Sequence, residues 1–206
     1  MATSKKDWNA IADFVYEVGI LERTPRSGLW FLGTGAQSVA EHLFRTAVIG
    51  YLLARLTPKS NKDRVIFLCL MHDVGEARTS DLNYIHQRYG RLAESQAIKD
   101  LAKNMPFGGE ILEAYKEEQK KETLEAKIAK DADKIEWIAT LRQEGAKGNN
   151  KTKEWINIAA KSIRTPAGKK LVKLIIKMHP DHWWFDAKDK WFESRDPKLR
   201  SWKSKK

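Results

Sequence analysis

Apolar residues return at spacings of three and four along almost all of this 206-residue chain, and no alternating strand pattern of any length interrupts them. That is the period of an amphipathic α-helix. Trp8, Ile11, Ala12, Val15 and Val18 share one face of a first helix. Ser38-Val39-Ala40-Glu41 reads as a capping box that opens a second, because the Ser hydroxyl and the Glu carboxylate satisfy backbone N–H groups left over at a helix start. Behind it Leu43, Phe44, Ala47, Val48, Tyr51 and Leu52 predict the buried stripe, and Pro58 ends the helix. A third helix is expected over 61–77, a loop or broken helix over 79–89, and shorter helices over 95–103 and 109–119. A long helix follows over 123–142, with Leu124, Ile128, Ile135 and Ile138 on one face, then a turn-rich break at 145–150 and a helix at 151–163. Thr165-Pro166, as N-cap and first-turn proline, starts the last helix, which runs to Met178. The expectation is a single all-α helical bundle over residues 1–178, with an irregular, Trp-rich, basic C-terminal extension at 179–206.

A chain of this length with 42% apolar residues can bury a substantial core. Its longest apolar runs, 47–54 and 65–71, fall well short of the roughly 18–20 residues a membrane helix needs, so no membrane is expected as a partner. The first residues are polar and basic with no apolar segment behind them, and no signal peptide is expected. The single cysteine, Cys69, cannot form an internal disulfide, which fits a reducing, cytoplasmic setting. The net charge of +11 favours anionic partners. It reads as spread through the chain, dense only at Lys198, Arg200, Lys203, Lys205 and Lys206. That pattern is a solvated surface and tail, and nucleic acid is not expected as a partner.

The chemistry concentrates in Leu70-Met71-His72-Asp73-Val74-Gly75-Glu76, where an apolar helix abruptly places three ionisable groups within five positions. Burying unpaired charge is costly, and a metal ion is an effective partner for an imidazole beside a carboxylate. Glu76, four residues after His72, projects toward whatever His72 binds. His42, in the first turn of the second helix, supplies another imidazole for a mixed nitrogen–oxygen site. A fourth ligand is expected from the long helix, where Asp131 shares a face with Leu124 and Ile138, and Asp133 with Ala129 and Trp137. Periodicity leaves both open.

The order His42, His72-Asp73 and an aspartate of the long helix resembles the H…HD…D signature of the HD-domain phosphohydrolases, and within them the HD-domain 5′-deoxynucleotidases. The matching segments are Glu22-Arg23-Thr24-Pro25-Arg26-Ser27-Gly28, Ser38-Val39-Ala40-Glu41-His42, His72-Asp73-Val74-Gly75-Glu76, Ser80-Asp81-Leu82 and Lys130-Asp131-Ala132-Asp133-Lys134-Ile135-Glu136. The resemblance implies a helical fold of the HD-domain type, a homodimer, and one divalent metal (Mn, Co, Fe, Ni or Mg) held by His42, His72, Asp73 and Asp133. It leaves Asp131 solvent-facing or in support of the site. It implies loss of phosphate from nucleoside 5′-monophosphates, chiefly deoxy ones, with Glu76 and Asp81 as the catalytic residues. Arg23 is then at the nucleotide and Thr24 at the sugar, with Arg26 as a second cation for the phosphate. Relatives of bacterial type carry Trp where this chain has Thr24, so a smaller gap between deoxy- and ribonucleotides is expected. Ser80 stands where Gly is usual, a departure that reads as minor. Two other readings are a hydrolase of a cyclic nucleotide or nucleoside triphosphate, and a nucleotide- or nucleic-acid-binding module with a structural metal. A structural metal needs neither Glu76 nor Asp81.

Overall fold

The computed structural model describes residues 4–199, so the basic run from Arg200 to Lys206 lies outside the described residues. Twelve α-helices follow in order: α1 Lys5–Val18, α2 Gly28–Leu32, α3 Val39–Arg55, α4 Lys62–Met71, α5 Glu76–Thr79, α6 Tyr84–Tyr89, α7 Glu94–Ala102, α8 Gly108–Lys120, α9 Leu124–Ala146, α10 Thr152–Ala160, α11 Pro166–Lys177 and α12 Lys190–Ser194. No strand occurs among the described residues; an isolated bridge pairs Pro25 with Ser38. No helix among them is long and apolar enough to cross a membrane.

The caps are where the sequence puts them. Glu41 N donates to Ser38 Oγ at 3.1 Å and Ser38 N to Glu41 Oε2 at 2.6 Å. Thr165 Oγ1 accepts from Gly168 N behind the first-turn Pro166. The middle of the chain departs from expectation. The helix expected over 61–77 stops at Met71, a turn spans residues 72–75, and α5 begins at Glu76. Residues 84–89, expected as a loop or broken helix, form α6, whose N-cap Asn83 accepts from Ile85 N and His86 N.

The buried face of α3 also differs. Phe44, Val48, Tyr51 and Leu52 are exposed, whereas Val39, His42, Leu43, Thr46, Ile49, Gly50, Leu53 and Ala54 are buried. The helix is apolar on nearly every side, and its core face carries the polar His42 and Thr46, so the hydrophobic stripe points the wrong way. Gly50 lets α3 and α4 cross closely: a Cβ there would lie 2.6 Å from Cys69 Sγ. On α1, likewise, Trp8, Ala12 and Val15 are exposed while Ala10, Ile11, Phe14 and Val18 pack inward.

α9 runs through the centre, against α3, α4, α8, α10 and α11. Its Ile128, Ile135, Ile138 and Leu141 join Leu53, Val65 and Leu68 in one core, while Leu124 at its start is partly exposed. A second core gathers Leu21, Val74, Ile98, Leu101 and Ile111. After α11 the chain stays on the bundle: Arg142 Nη2 donates to Met178 O at 2.9 Å. The His179 side chain caps the turn Pro180–Trp183. Charge is distributed unevenly. Residues 1–146 hold 21 Lys and Arg against 21 Asp and Glu, so the whole excess falls on residues 147–206.

Ser80 is the one strained residue beside the site. Its φ of 64° with ψ of 169° lies in a region that glycine alone enters freely, so the Gly-to-Ser departure is not minor. Ser80→Gly is expected to stabilise the fold by about 1–2 kcal/mol, read as a thermal midpoint a few degrees higher. A midpoint that stays put or falls would refute the strain.

Candidate metal centre

His42 sits one turn into α3 because the capping box sets the start of that helix, and its ring is fully buried. Its Nδ1 lies 2.6 Å from Glu136 Oε2. The other oxygen of Glu136 accepts from Gln37 Nε2 at 2.7 Å, Arg45 Nε at 2.9 Å and Thr140 Oγ1 at 3.1 Å. Burial alone would raise the Glu136 pKa, but His42, Arg45 and Gln37 bring it down to about 2. An ionised Glu136 therefore accepts a hydrogen bond from His42 Nδ1–H and leaves the Nε2 lone pair facing inward, the usual way a carboxylate fixes a ligating imidazole.

His72 arrives from α4 as its C-cap, and its Nδ1 donates to Cys69 O at 2.8 Å. Its Nε2 lies 3.4 Å from His42 Nε2. With both Nδ1 protons committed elsewhere, two lone pairs face each other across a buried gap. That contact is repulsive unless one Nε2 carries a proton or a metal ion lies between or beside them. The carboxylates complete the arrangement. Asp73 Oδ2 is 3.2 Å from His72 Nε2 and 3.7 Å from His42 Nε2, and Asp133 Oδ1 is 3.5 Å from His42 Nε2. One ligand atom from each of His42, His72 and Asp133 lies within 4.8 Å of the others. Burial would lower the His72 pKa, yet Asp73 and Asp133 push it up to about 9. Burial would raise Asp73, yet His72, Arg26 and His42 hold it below the usual carboxylate range. The cluster takes up positive charge, and two inward imidazole nitrogens with two carboxylates suit a divalent transition ion.

Asp131 and Asp133 separate cleanly. Asp133 faces the cluster, and its Oδ2 pairs with Lys130 Nζ at 2.9 Å. Asp131 is buried too, which excludes the solvent-facing one of its two expected placements. It accepts from Arg164 N at 2.8 Å, Thr165 N at 2.7 Å and Thr165 Oγ1 at 2.6 Å, and so fastens the start of α11 to α9.

The remaining expected residues divide. Arg26 touches the cluster, its Nη1 3.2 Å from Asp73 Oδ2. The loop carrying it is pinned to the start of α3 by Arg26 N donating to Gln37 O and Val39 N to Thr24 O. Asp81 Oδ2 accepts from Ser27 N at 2.8 Å and ties the same loop from the other side. Glu76 opens α5 with a buried Oε2 that makes no hydrogen bond among the described residues. Burial, then Asp73 and Asp81, push its pKa up to about 10. Arg23 is exposed. Thr24 is buried, with its hydroxyl donated to Ile20 O.

Four residues with no role assigned from the sequence belong to the site's frame: Glu136, Arg45, Lys130 and Glu118. Glu136 lies three residues after Asp133 and Lys130 three before, so helical spacing was the available signal. Lys130 Nζ also approaches the buried Glu118, 3.4 Å from Oε1. A cleft of about 770 Å³ opens beside Arg45, lined by Phe44, Gln143, Trp183 and Trp184. It is not the seat of this chemistry, because none of His72, Asp73, Glu76 and Asp133 lines it.

Known proteins resemble this chain in sequence and in fold. The 5′-deoxynucleotidase HDDC2 of Xenopus laevis is 29% identical over 174 residues, 81% of this chain and 86% of that protein. The 5′-deoxynucleotidase hdd1 of Schizosaccharomyces pombe is 27% identical over 186 residues, 84% of this chain and 92% of that protein. A solved structure, a conserved hypothetical protein from Pyrococcus furiosus, superposes with a TM-score of 0.70 at 26% identity, covering 81% of this chain and 99% of that one. The family model described as HD domain matches residues 18–174, a span that contains every residue of the cluster, and the chain belongs to the HD-domain family.

Proposed function

We propose that this chain is a metal-dependent phosphoric monoester hydrolase that removes phosphate from nucleoside 5′-monophosphates. The observation that carries the reading is the convergence of one ligand atom from each of His42, His72 and Asp133 within 4.8 Å of the others, with Asp73 against both imidazoles, Arg26 on Asp73 and Glu76 close enough to feel the Asp73 charge. The relatives named 5′-deoxynucleotidase support the substrate class. His42, His72, Asp73 and Asp133 hold one divalent ion. When bound, it supplies Lewis-acid polarisation of the phosphate and activation of water. Arg26 presents N–H donors to the phosphate oxygens, and Arg23, three residues earlier on the same loop, is its second cation. Glu76 orients the attacking water and accepts its proton; the water oxygen bonds to phosphorus as the bond to the 5′-oxygen breaks, and that oxygen takes a proton from solvent to leave as the nucleoside hydroxyl. Asp81 holds the Arg26 loop through Ser27 N and stands at the substrate. Thr24, turned into its own backbone, puts no bulky ring at the sugar, which supports a modest preference between deoxy- and ribonucleotides.

The exposed Phe44, Val48 and Leu52 of α3, with Leu56 at its C-cap, support a homodimer, since one helix rarely leaves so much apolar surface to water. The single buried cysteine supports a cytoplasmic setting.

About one ion per chain is expected by elemental analysis, because the four ligands make one set. Chelator should abolish turnover, and Mn or Co should restore it. Nucleoside monophosphates of both sugars, assayed beside cyclic nucleotides and triphosphates, test the substrate class. Two tightly held ions per chain, or full activity in excess chelator, would refute the single-ion site. Turnover of only cyclic or triphosphate substrates would refute the substrate class.

A further inference from the structure

We infer that Trp30, with Phe31 and His86, is the nucleobase platform of this site, a stacking surface for the planar heteroaromatic end of the substrate. The inference rests on the proposed function and names what holds the part of the nucleotide remote from the phosphate.

Two chain segments build the wall that carries it. Residues 26–30 form a helical turn, with Leu29 N donating to Arg26 O and Trp30 N to Ser27 O, both at 3.2 Å. Trp30 stands four residues after Arg26 on the exposed side of α2, while Leu29 and Leu32 face the core. Arg26, at the start of the same segment, contacts Asp73. The second segment starts at Asp81, which is fastened to Ser27 N. Two residues on, the buried Asn83 caps α6 through its Oδ1, and its Nδ2 donates to His86 Nδ1 at 3.0 Å. His86 is thus held in place, and it meets Trp30 and Phe31 edge-on, with ring centroids 6.1 and 6.5 Å apart. The segments are joined by a hydrogen bond near the metal cluster and by aromatic rings farther out.

The exposure of these rings calls for an occupant. Trp30 is 60% exposed and Phe31 46%, on a helix of five residues whose other apolar side chains are in the core. A ring with an open face stacks any base, so the platform binds nucleotides without choosing strongly among them.

The test compares a nucleoside 5′-monophosphate with deoxyribose 5-phosphate, which keeps the phosphate and sugar and lacks the base. Trp30→Ala should raise the KM for the nucleotide about tenfold relative to that for the sugar phosphate, the scale of one base–aromatic stack. Trp30→Phe should restore most of the difference, which a folding defect would not do. If both substrates are hydrolysed and their KM ratio is the same in wild type and Trp30→Ala, the platform is wrong and the proposed function stands. If Trp30→Ala raises both KM values equally, the residue is structural and the platform is again wrong. If the wild-type protein hydrolyses neither substrate, the proposed function itself fails and the platform falls with it.

Discussion

Asp133→Ala should leave the purified protein without its metal and without turnover, while Asp131→Ala should keep its metal and lose stability. The two residues are two positions apart, yet their carboxylates do unrelated work. Asp133 offers Oδ1 to the cluster beside His42. Its removal takes one ligand of four and frees Lys130, which is attracted to Asp133 and Glu118, to project its charge at the site. Asp131 accepts three hydrogen bonds from Arg164 and Thr165 at the start of α11. Without it, buried N–H groups lose a charged acceptor, at a cost of about 3 kcal/mol. Elemental analysis and urea unfolding of both variants separate the effects. A metal-free Asp131→Ala of wild-type stability would reverse the assignment and place the ligand two residues earlier.

Glu76→Ala is expected to lower kcat by roughly a hundredfold or more, the usual contribution of a general base, with metal content and nucleotide affinity retained. Glu76 stands at the edge of the cluster with one carboxylate oxygen buried and free of hydrogen bonds among the described residues. Burial and its carboxylate neighbours push its pKa up to about 10, and a divalent ion held by Asp73 and Asp133 would draw it back down by opposing those charges. Single-turnover kinetics with elemental analysis decide the matter. Full turnover in Glu76→Ala would move the proton transfer to another group, and loss of the metal would make Glu76 a ligand.

The local order of the chain was legible where short-range chemistry decides it. Ser38 with Glu41 and Thr165 with Pro166 marked helix starts that the fold uses unchanged. The dense charge of His72, Asp73 and Glu76 in an apolar run marked the segment that supplies part of the candidate site. The same reasoning failed on α3, because a helix that carries metal-type ligands on its core face buries His42 and Thr46 and leaves Phe44 and Val48 outside. It also failed where the helix expected over 61–77 breaks after Met71. The turn at residues 72–75 aims His72 at α3, a requirement set by a partner helix rather than by local propensity.

Sequence alone determined the helical class and the boundaries with strong caps, because each depends on neighbours within about one turn, and it marked His42, His72 and Asp73 as candidates for a metal site. Tertiary structure decided the rest. α9 is packed on several sides at once, so Asp131 and Asp133 are both buried and no periodicity can tell them apart. Only the position of α3 and α4 on one side, and of α11 on another, makes the first a helix anchor and the second a candidate ligand. The Glu136 and Arg45 support of His42, and the meeting of Trp30 with His86, likewise join residues 94, 91 and 56 positions apart. Contacts across such separations are set by packing of the whole bundle, and no local pattern encodes them.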